Sequence, residues 1–251
     1  MKVIFVGAGP GDPELLTVKA HRILSSCAFC IYAGSLVSPQ VIDIIPASAE
    51  KHNSAELNLD QITDLFKRGR ELNIDVVRLH SGDPSIYGAI REQMNELDAL
   101  GIDYEVVPGV SSFQAAAAAL KTELTAPEIS QTVILTRSSG RTPMPPLEEL
   151  ENLARSRSTM CIFLSAHKIG DIADQLAQAY GSDCPAAIVA KASWPEQKFV
   201  VGTLDDIAGQ ARQAGINKTA MIIAGWTLSR DVQPSRLYAS DFSHEFRVVE
   251  D

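Results

Sequence analysis

Three glycine-containing loops hold the side chains of this sequence that are best placed to do chemistry. Each loop directly follows a short apolar run that predicts a β-strand, and the loops span residues 7–12, 81–84 and 108–112. In open α/β sheets, ligands bind just beyond the carboxyl ends of the strands. The carboxylates and hydroxyls on these loops could therefore accept hydrogen bonds from one bound ligand.

The second loop holds a carboxylate at the end of a predicted strand. Gly82 allows backbone conformations that other residues avoid, Pro84 fixes its own φ, and Asp83 is pushed toward an extended conformation because it precedes proline. The structural alternative is that Asp83 caps a helix that begins at Pro84 and whose apolar positions start at Ile86. Taken alone, the loop favours the helix cap, and only further loops of the same kind favour a ligand site.

The first loop places an acid where a dinucleotide-binding loop would have a glycine. A G-x-G-x-x-G fingerprint needs its third glycine at position 12, where this sequence has Asp12, and a carboxylate there would repel a pyrophosphate. Asp12 followed by Pro13 also predicts a helix N-cap. The apolar face of the predicted helix consists of Leu16, Ala20, Ile23 and Leu24.

The cysteines and histidines do not form a pattern typical of a redox or metal site. Cys27 and Cys30 form a C-x-x-C, but in redox proteins this unit opens a helix after a strand, whereas here it closes a predicted helix. Cys161 and Cys184 stand alone, and the five histidines show no ligand spacing. We expect buried structural thiols and no bound metal.

The composition argues against some classes of partner. The chain has 251 residues and a formal net charge of −9, which disfavours binding to nucleic acid or to an anionic membrane through a basic face. The sequence has no apolar run of the roughly 18 residues that a membrane span needs, and residues 1–4 enter a strand rather than a signal sequence. We expect a soluble cytoplasmic protein that meets anionic ligands through local Arg and Lys side chains.

Strands and helices alternate along the chain, which predicts two α/β domains. Periodicity disappears in residues 121–130, so we place the boundary there and expect domains 1–120 and 121–251. The first sheet should be mostly parallel, and the second mixed, because a short turn at residues 194–196 suggests an antiparallel hairpin. The predicted strands are residues 3–6, 28–32, 74–80, 104–107, 132–136, 159–164, 186–190, 197–203 and 220–226, and the helices after the first are 60–72, 86–101, 113–120, 169–180 and 204–214.

Three ordered motifs carry a family resemblance. They are VGAGPGDPELLT at residues 6–17, the segment 78–87 that contains Gly-Asp-Pro, and VVPGVSS at residues 106–112. These motifs resemble the tetrapyrrole methylases, the S-adenosylmethionine-dependent enzymes of sirohaem and cobalamin synthesis. Later segments are similar as well, so the resemblance covers nearly the whole chain. It implies methyl transfer from S-adenosyl-L-methionine to a ring carbon of a tetrapyrrole, with S-adenosyl-L-homocysteine as product.

Two further segments resemble one branch of this family. Residues 32–37, YAGSLV, and residues 52–55, HNSA, are similar to the enzymes that methylate precorrin-4 at C11 to give precorrin-5. Uroporphyrinogen methylases tend to carry an acidic and then a basic residue where Ala33 and Gly34 stand here, which argues against an early C2/C7 substrate. Another precorrin or uroporphyrinogen methyltransferase stays the alternative. Whether the substrate carries cobalt is open, because the two routes use closely similar enzymes.

The resemblance also implies a cofactor site in a cleft between two α/β domains, held largely by backbone groups. Asp83 would offer an acceptor near the positively charged methionine end, and Ser111 and Ser112 would offer hydroxyls, although both serines could instead cap the following helix. The matching positions are Pro10, Ser81, Gly82, Asp83, Ile86, Tyr87, Ser111, Ser112 and Phe113 in the first domain, and Leu164, Ser165, Ala190 and Ala224 in the second.

For the tetrapyrrole substrate, the resemblance implies a carboxylate and several cations. Asp12 is our candidate to accept a proton or to hold pyrrole N–H groups. Cations would bind the acetate and propionate side chains, and a solvated surface role is the alternative for each. The candidates are Arg137, Arg141, Lys168 and Lys191. Because family members form two-fold dimers, we expect a homodimer to which residues 36–49 contribute.

Two functions of other classes remain open. A nicotinamide-dependent oxidoreductase would also bind its cofactor at strand ends, but Asp12 in place of the third glycine counts against it. A non-catalytic carrier of a tetrapyrrole or cofactor would show the same motifs, and only an assay separates it from an enzyme.

Overall fold

The computed structural model describes residues 1–140, 142–229, 239, 242–243 and 245–247. Within them, the predicted α/β fold with two sheets is confirmed. Contacts divide the chain into two compact units: unit 1 is Met1–Ala116 with Lys191–Gln197, and unit 2 is Ala117–Ala190 with the described residues from Lys198 onward. The short segment Lys191–Gln197 thus belongs with unit 1, although its neighbours in the chain belong with unit 2.

Unit 1 is built on a five-stranded sheet in which every neighbouring pair is parallel, with the order β3-β2-β4-β1-β5. The edge strand β3 was not predicted, because its sequence Glu-Lys-His-Asn has no apolar run. The strands are β1 Lys2–Gly7, β2 Phe29–Tyr32, β3 Glu50–Asn53, β4 Val76–His80 and β5 Asp103–Val107. The helices are α1 Val18–Leu24, α2 Pro39–Ile42, α3 Leu59–Glu71, α4 Arg91–Leu100 and α5 Ser112–Leu120.

Both faces of the central strands β1, β2 and β4 are buried, which explains the uninterrupted apolar runs of these strands. Side chains alternate along β1: Val6 packs in the cluster that includes Leu24 of α1, and Phe5 packs in the cluster that includes Phe66 of α3 and Leu97 of α4. Burial on two sides fixes β1 and β4, and parallel pairing with β1 brings the carboxyl end of β5 to the same edge.

Two predicted helix starts in unit 1 are wrong. Asp12 caps only a short 3-10 turn, Pro13–Leu15, and the α-helix starts later because the Thr17 side chain accepts a hydrogen bond from the Ala20 N–H at 3.1 Å. No helix begins at Pro84 either, since α4 starts at Arg91. The backbone between them passes through positive φ at Tyr87 (55°) and Ala89 (49°), which a right-handed helix does not allow.

Unit 2 is built on a mixed sheet with the order β6-β7-β10-β8-β9. The predicted hairpin is confirmed, because β8 and β9 pair antiparallel. Among the described strands of this sheet, β6 and β7 pair in parallel, and the other neighbouring strands pair antiparallel. Helix α7 has its predicted bounds. The strands are β6 Val133–Arg137, β7 Thr159–Phe163, β8 Pro185–Ala190, β9 Lys198–Thr203 and β10 Ala220–Ala224, and the helices are α6 Leu150–Leu153, α7 Ile169–Tyr180 and α8 Ile207–Gln213.

The helices of the described part of the chain are all too short or too polar to cross a lipid bilayer.

Three glycines bring the ends of β1, β4 and β5 into contact in unit 1. A Cβ atom at Gly7 would lie 2.6 Å from the Gly109 Cα and 2.7 Å from the Gly82 carbonyl oxygen. A Cβ atom at Gly109 would lie 2.2 Å from the same oxygen. These distances are too short for a side chain, so the three loops can meet only through bare backbone.

We expect Gly109→Ala to destabilise the protein. The added methyl group meets rigid backbone, and overpacking of this kind costs about 2 kcal/mol, which would lower the melting temperature by roughly 5 °C. Gly209→Ala is the control, because Gly209 lies in α8 with open space around it and alanine is the better helix former. Equal melting temperatures for wild type and Gly109→Ala would contradict the contact.

Candidate active site

The three loops predicted to carry chemistry meet at the carboxyl edge of the parallel sheet. Gly9 and Gly82 exchange two backbone hydrogen bonds, of 3.2 Å from Gly9 N to Gly82 O and 2.8 Å from Gly82 N to Gly9 O. Ala8 N donates to His80 O at 2.7 Å. The structure therefore places Pro10, Gly82 and the residues after them around one small region of unit 1.

Asp83 links two of these loops with its carboxylate. Its Oδ2 accepts the Gly109 N–H at 2.9 Å, and its Oδ1 accepts the Ser85 N–H at 2.8 Å as well as the Ser85 hydroxyl. Burial by itself raises the pKa of Asp83, but the hydrogen bonds from Ser85 and Gly109 outweigh it and lower the pKa below its ordinary value. Asp83 is therefore an ionised group that holds loops together, in place of the helix cap considered above.

The segment after Asp83 leaves regular structure and exposes an aromatic ring. Tyr87 is 45% exposed at a φ of 55°, and Ile86 beside it is half-buried. A side chain at Gly88 would overlap the Pro84 carbonyl oxygen, 2.1 Å from the added Cβ. A tight turn thus replaces the predicted helix and presents Tyr87 to solvent.

The third loop places a buried serine against Gly82. Ser111 is 4% exposed, and its Cα lies 3.6 Å from the position that a Cβ at Gly82 would occupy. Its N–H donates to the Gln114 side chain at 2.9 Å, and Ser112 and Phe113 open helix α5 directly after it. Ser111 therefore lies both at the helix start and within the loop cluster.

Contacts that sequence reasoning missed hold the first loop. The Asp12 Oδ1 accepts the Glu14 N–H at 2.9 Å, and the Asp12 N–H donates to the Ser193 hydroxyl at 3.0 Å. The Trp194 indole N–H donates to the Pro10 carbonyl at 2.7 Å. No local signal in the sequence could have paired residues about 180 positions apart, because residues 194–196 look only like a hairpin turn.

In unit 2, three of the four predicted cofactor residues lie at one end of the sheet. Leu164 follows β7 and is 63% exposed with a φ of 55°, and Ala190 ends β8. Ser165 is fully buried, where it accepts from the Ser138 N–H and pairs with the Ser138 hydroxyl, both at 2.9 Å.

The fourth, Ala224, lies at the other end of this sheet. Because β10 runs antiparallel to its neighbours, Ala224 pairs with Ala186 and Met160, and Ala190 pairs instead with Ala220. Four residues of strand separate the two ends, about 13 Å. Ala224 and Ala190 can share a ligand only if the ligand is long.

The predicted substrate cations have local partners in the described structure. Arg137 donates to the Thr142 and Pro143 carbonyls at 3.1 Å each. Lys168 donates to the Ser139 carbonyl at 2.7 Å and lines an open cavity of about 390 Å³ in unit 2. Arg141 lies outside the described residues.

Lys191 is held less tightly than these two. Its Nζ lies 3.6 Å from the Glu196 carboxylate and 4.9 Å from the centre of the Trp194 ring. Both Lys191 and Glu196 are substantially exposed, so this ion pair is weak.

Three of the four thiols are buried, as predicted, and Cys27 is half-buried. Burial raises the pKa of Cys161 and of Cys184 to about 12, so both are neutral. Across the described ranges, no three or more His, Cys, Asp or Glu side chains lie together in a way that would hold a metal ion.

Two buried polar side chains on β4 lie just before the Ser81–Pro84 loop, and the sequence did not reveal them. Arg78 is 5% exposed and donates to the Gln93 side chain at 2.9 Å and to the Ile31 carbonyl at 3.3 Å. His80 is 4% exposed, and its Nε2 has no hydrogen-bond partner among the described residues. Burial, and secondarily the charge of Arg78, lower the pKa of His80 to about 3.

Comparison with known proteins gives a consistent result. The family model for tetrapyrrole (corrin/porphyrin) methylases matches residues 2–208. The cobalt-precorrin-4 C(11)-methyltransferase of Methanocaldococcus jannaschii is 50% identical over 98% of this chain and 96% of its own length. The precorrin-4 C(11)-methyltransferase of Pseudomonas aeruginosa is 46% identical over the whole of both chains.

Solved structures agree with these sequence matches. The crystal structure of a cobalt precorrin-4 methyltransferase has a TM-score of 0.88 at 44% identity and covers 91% of this chain and 96% of its own. The uroporphyrin-III C-methyltransferase of Thermus thermophilus, in complex with S-adenosyl homocysteine, has a TM-score of 0.75 at 29% identity, with coverages of 91% and 99%.

His80 should make the protein less stable in weak acid. Its pKa falls from an ordinary value of 6.5 to about 3 in the folded protein, so as the pH falls below 6.5 the unfolded chain binds a proton that the folded chain does not. Stability is therefore lost as the pH falls, by about 2 kcal/mol between pH 6.5 and 5. We expect His80→Gln to remove this loss, measured by urea unfolding at neutral and acidic pH.

The control is His21→Gln, which replaces an exposed histidine on α1 and should keep the wild-type pH dependence. If His80→Gln and wild type lose the same stability over this range, His80 is not buried in its neutral form.

Proposed function

Because the chain belongs to the tetrapyrrole (corrin/porphyrin) methylases, we propose that it transfers a methyl group from S-adenosyl-L-methionine to C11 of precorrin-4, giving precorrin-5 on the route to cobalamin. The observation that carries this proposal is the full-length identity of 46–50% to enzymes named for this reaction. Those relatives include both a precorrin-4 and a cobalt-precorrin-4 enzyme. The form of the substrate is therefore the part that an assay must decide.

We propose that S-adenosylmethionine binds at the loop cluster of unit 1. Tyr87 supports this, because it is a large, exposed side chain held at a positive φ of 55°. Strained backbone at residues other than glycine persists mainly where function requires it. Small residues such as Gly82 and Ser111 let backbone groups reach a ligand, and the other cofactor positions are the family-matched residues named above.

The cofactor supplies an activated methyl group on a sulfonium, so the protein needs no covalent intermediate. The task of this chain is to orient the acceptor carbon and exclude water, and alignment of two reactants lowers a barrier by up to about 7–11 kcal/mol. The ionised Asp83 makes the site favourable for a positively charged ligand. We propose that Asp12, whose Oδ2 has no partner in the described part of the structure, accepts a proton or organises pyrrole N–H groups.

The carboxylate side chains of the substrate need cations, and we propose Lys191 as the first of these. Its weak pairing with Glu196 could be exchanged for a substrate carboxylate at little cost. Arg137 and Lys168 would have to break their hydrogen bonds to backbone carbonyls before they could bind a substrate carboxylate. The role of Arg141 stays a prediction from the sequence.

We propose further that the protein works as a cytoplasmic homodimer. A two-fold interface needs one self-complementary patch. In the predicted segment 36–49, Leu36 is a large apolar side chain that is exposed, at 47%, whereas Val41 and Ile45 are buried within unit 1. Leu36 is therefore the residue of this segment best able to contact a second copy. A monomer mass by sedimentation at micromolar concentration would contradict the dimer.

Incubation with methyl-labelled S-adenosylmethionine and precorrin-4, and in parallel with cobalt-precorrin-4, tests the proposed reaction. We expect one label per macrocycle, at C11 by NMR, with a larger kcat/KM for one of the two substrates. Binding of either tetrapyrrole without transfer would indicate a carrier. Binding of a nicotinamide nucleotide would indicate an oxidoreductase.

Asp12→Asn separates chemistry from structure at the first loop. Asn caps about as well as Asp and can keep the bond to the Glu14 N–H, while the charge that accepts a proton is lost. We expect normal folding, nearly normal cofactor affinity and a fall in kcat of about 10²-fold. Glu14→Gln, a change of an exposed residue on the same turn, is the control. If Asp12→Asn turns over at the wild-type rate, Asp12 acts only as a helix cap and takes no part in the chemistry.

A further inference from the structure

The turn Lys191–Gln197 packs against the first glycine loop within unit 1. The Trp194 indole N–H donates to the Pro10 carbonyl at 2.7 Å, and the Ser193 hydroxyl accepts the Asp12 N–H at 3.0 Å. Between these two bonds, the indole ring lies where a side chain on Gly11 would be: an added Cβ would be 2.1 Å from its Cδ1 atom. Trp194 thus contacts the loop at Pro10 and Gly11, and its neighbour Ser193 contacts the next residue, Asp12.

The first glycine loop needs such support because its own residues allow many backbone conformations. Gly9 has a φ of 67° and Gly11 a φ of 153°, and a glycine-rich segment in the unbound state samples many conformations. Pro10 has no N–H with which to anchor itself. On another side, the buried Ser38 hydroxyl donates to the Gly11 carbonyl at 2.5 Å. The loop is therefore shaped by side chains from distant segments.

Several internal contacts hold the turn that carries Trp194. Lys191 and Ser193 adopt positive φ, at 47° and 69°. The backbone N–H of Ser193 donates to the Gln197 side chain at 2.7 Å, and the backbone N–H of Trp194 donates to the Lys191 carbonyl at 2.9 Å. The Lys191 ammonium lies 4.9 Å from the centre of the indole ring, a cation–π contact. Strain at two residues, held by several bonds, is typical of a turn retained for a function.

We propose that Trp194 is a positioning residue for the cofactor: it fixes the Pro10 carbonyl and the backbone of Gly11, and so holds the first loop in the shape that binds S-adenosylmethionine. The proposal rests on the proposed function, since it concerns the same site. Trp194 acts through Pro10 and Gly11, by removing conformations that the loop would otherwise have to give up on binding.

Three variants test this role. Trp194→Phe keeps an aromatic ring next to Gly11 and removes the N–H donor. Glu196→Gln changes an exposed residue of the same turn, and Trp226→Phe changes the second of the two tryptophans, which packs in unit 2. The affinity of each purified protein for S-adenosyl-L-homocysteine is measured by titration calorimetry, and folding is checked by melting temperature.

We expect Trp194→Phe to raise the Kd for S-adenosyl-L-homocysteine about fivefold, the effect of one lost hydrogen bond on a binding equilibrium. The two control variants should stay within twofold of wild type. Ser193→Ala, which removes the acceptor for the Asp12 N–H, should weaken binding in the same direction, and it keeps the test decisive if Trp194→Phe does not fold.

A spectroscopic readout separates positioning from mere packing. Trp226→Phe leaves Trp194 as the sole tryptophan, and we expect its emission to change saturably with S-adenosyl-L-homocysteine, with the Kd found by calorimetry. An emission that does not change, together with a wild-type Kd for folded Trp194→Phe, would overturn the proposal.

The outcomes also separate this inference from the proposed reaction. If the wild-type protein methylates precorrin-4 while folded Trp194→Phe and Ser193→Ala bind S-adenosyl-L-homocysteine as tightly as wild type, the positioning role is overturned and the reaction stands. If Trp194→Phe weakens binding but the wild type methylates neither form of precorrin-4, the positioning role stands and the reaction is overturned.

Discussion

The close approach of backbone at Gly7, Gly82 and Gly109 is the constraint on which the candidate site depends. Parallel pairing brings the carboxyl ends of β1, β4 and β5 to one edge of the sheet, and the absence of side chains lets the loops touch there. Only at that separation can the Asp83 carboxylate reach the Gly109 N–H. The loop that carries Pro10 and Asp12 then adds its own pair of hydrogen bonds to Gly82.

Behind this contact, β4 carries polar side chains in a position where apolar ones would stabilise the sheet more. Arg78 is buried without a carboxylate partner in the described structure and relies on Gln93 and a backbone carbonyl, while His80 is buried in its neutral form. Burial of such groups costs free energy unless each is hydrogen-bonded. Departures of this kind from a simple apolar core gather near functional sites, and here they directly precede the loop that begins at Ser81.

The residues assigned to the cofactor from the family resemblance are not equivalent in the structure. Gly82, Asp83 and Ser111 lie together, Ser165 uses its hydroxyl within unit 2, and Ala224 lies about four residues along the sheet from Ala190. Side chains that the motifs did not include, Ser38, Ser193 and Trp194, make the contacts that shape the first loop. A sequence motif therefore identifies the loop, whereas the side chains that hold the loop in shape come from distant parts of the chain.

The sequence by itself determined the alternation of strands and helices, the mixed second sheet with its hairpin, the bounds of helix α7 and the family. These depend on local periodicity of burial and on turn chemistry, which neighbouring residues encode. Tertiary structure alone decided that β3 is a strand, because an edge strand needs no apolar run. It also moved the start of α1 to Val18, directly after the Thr17 cap, and that of α4 to Arg91, since side-chain caps and positive φ compete with helical spacing. Tertiary structure also decided the hydrogen bond from the Trp194 indole to the Pro10 carbonyl, because a bond between residues 184 positions apart forms only once the chain has folded.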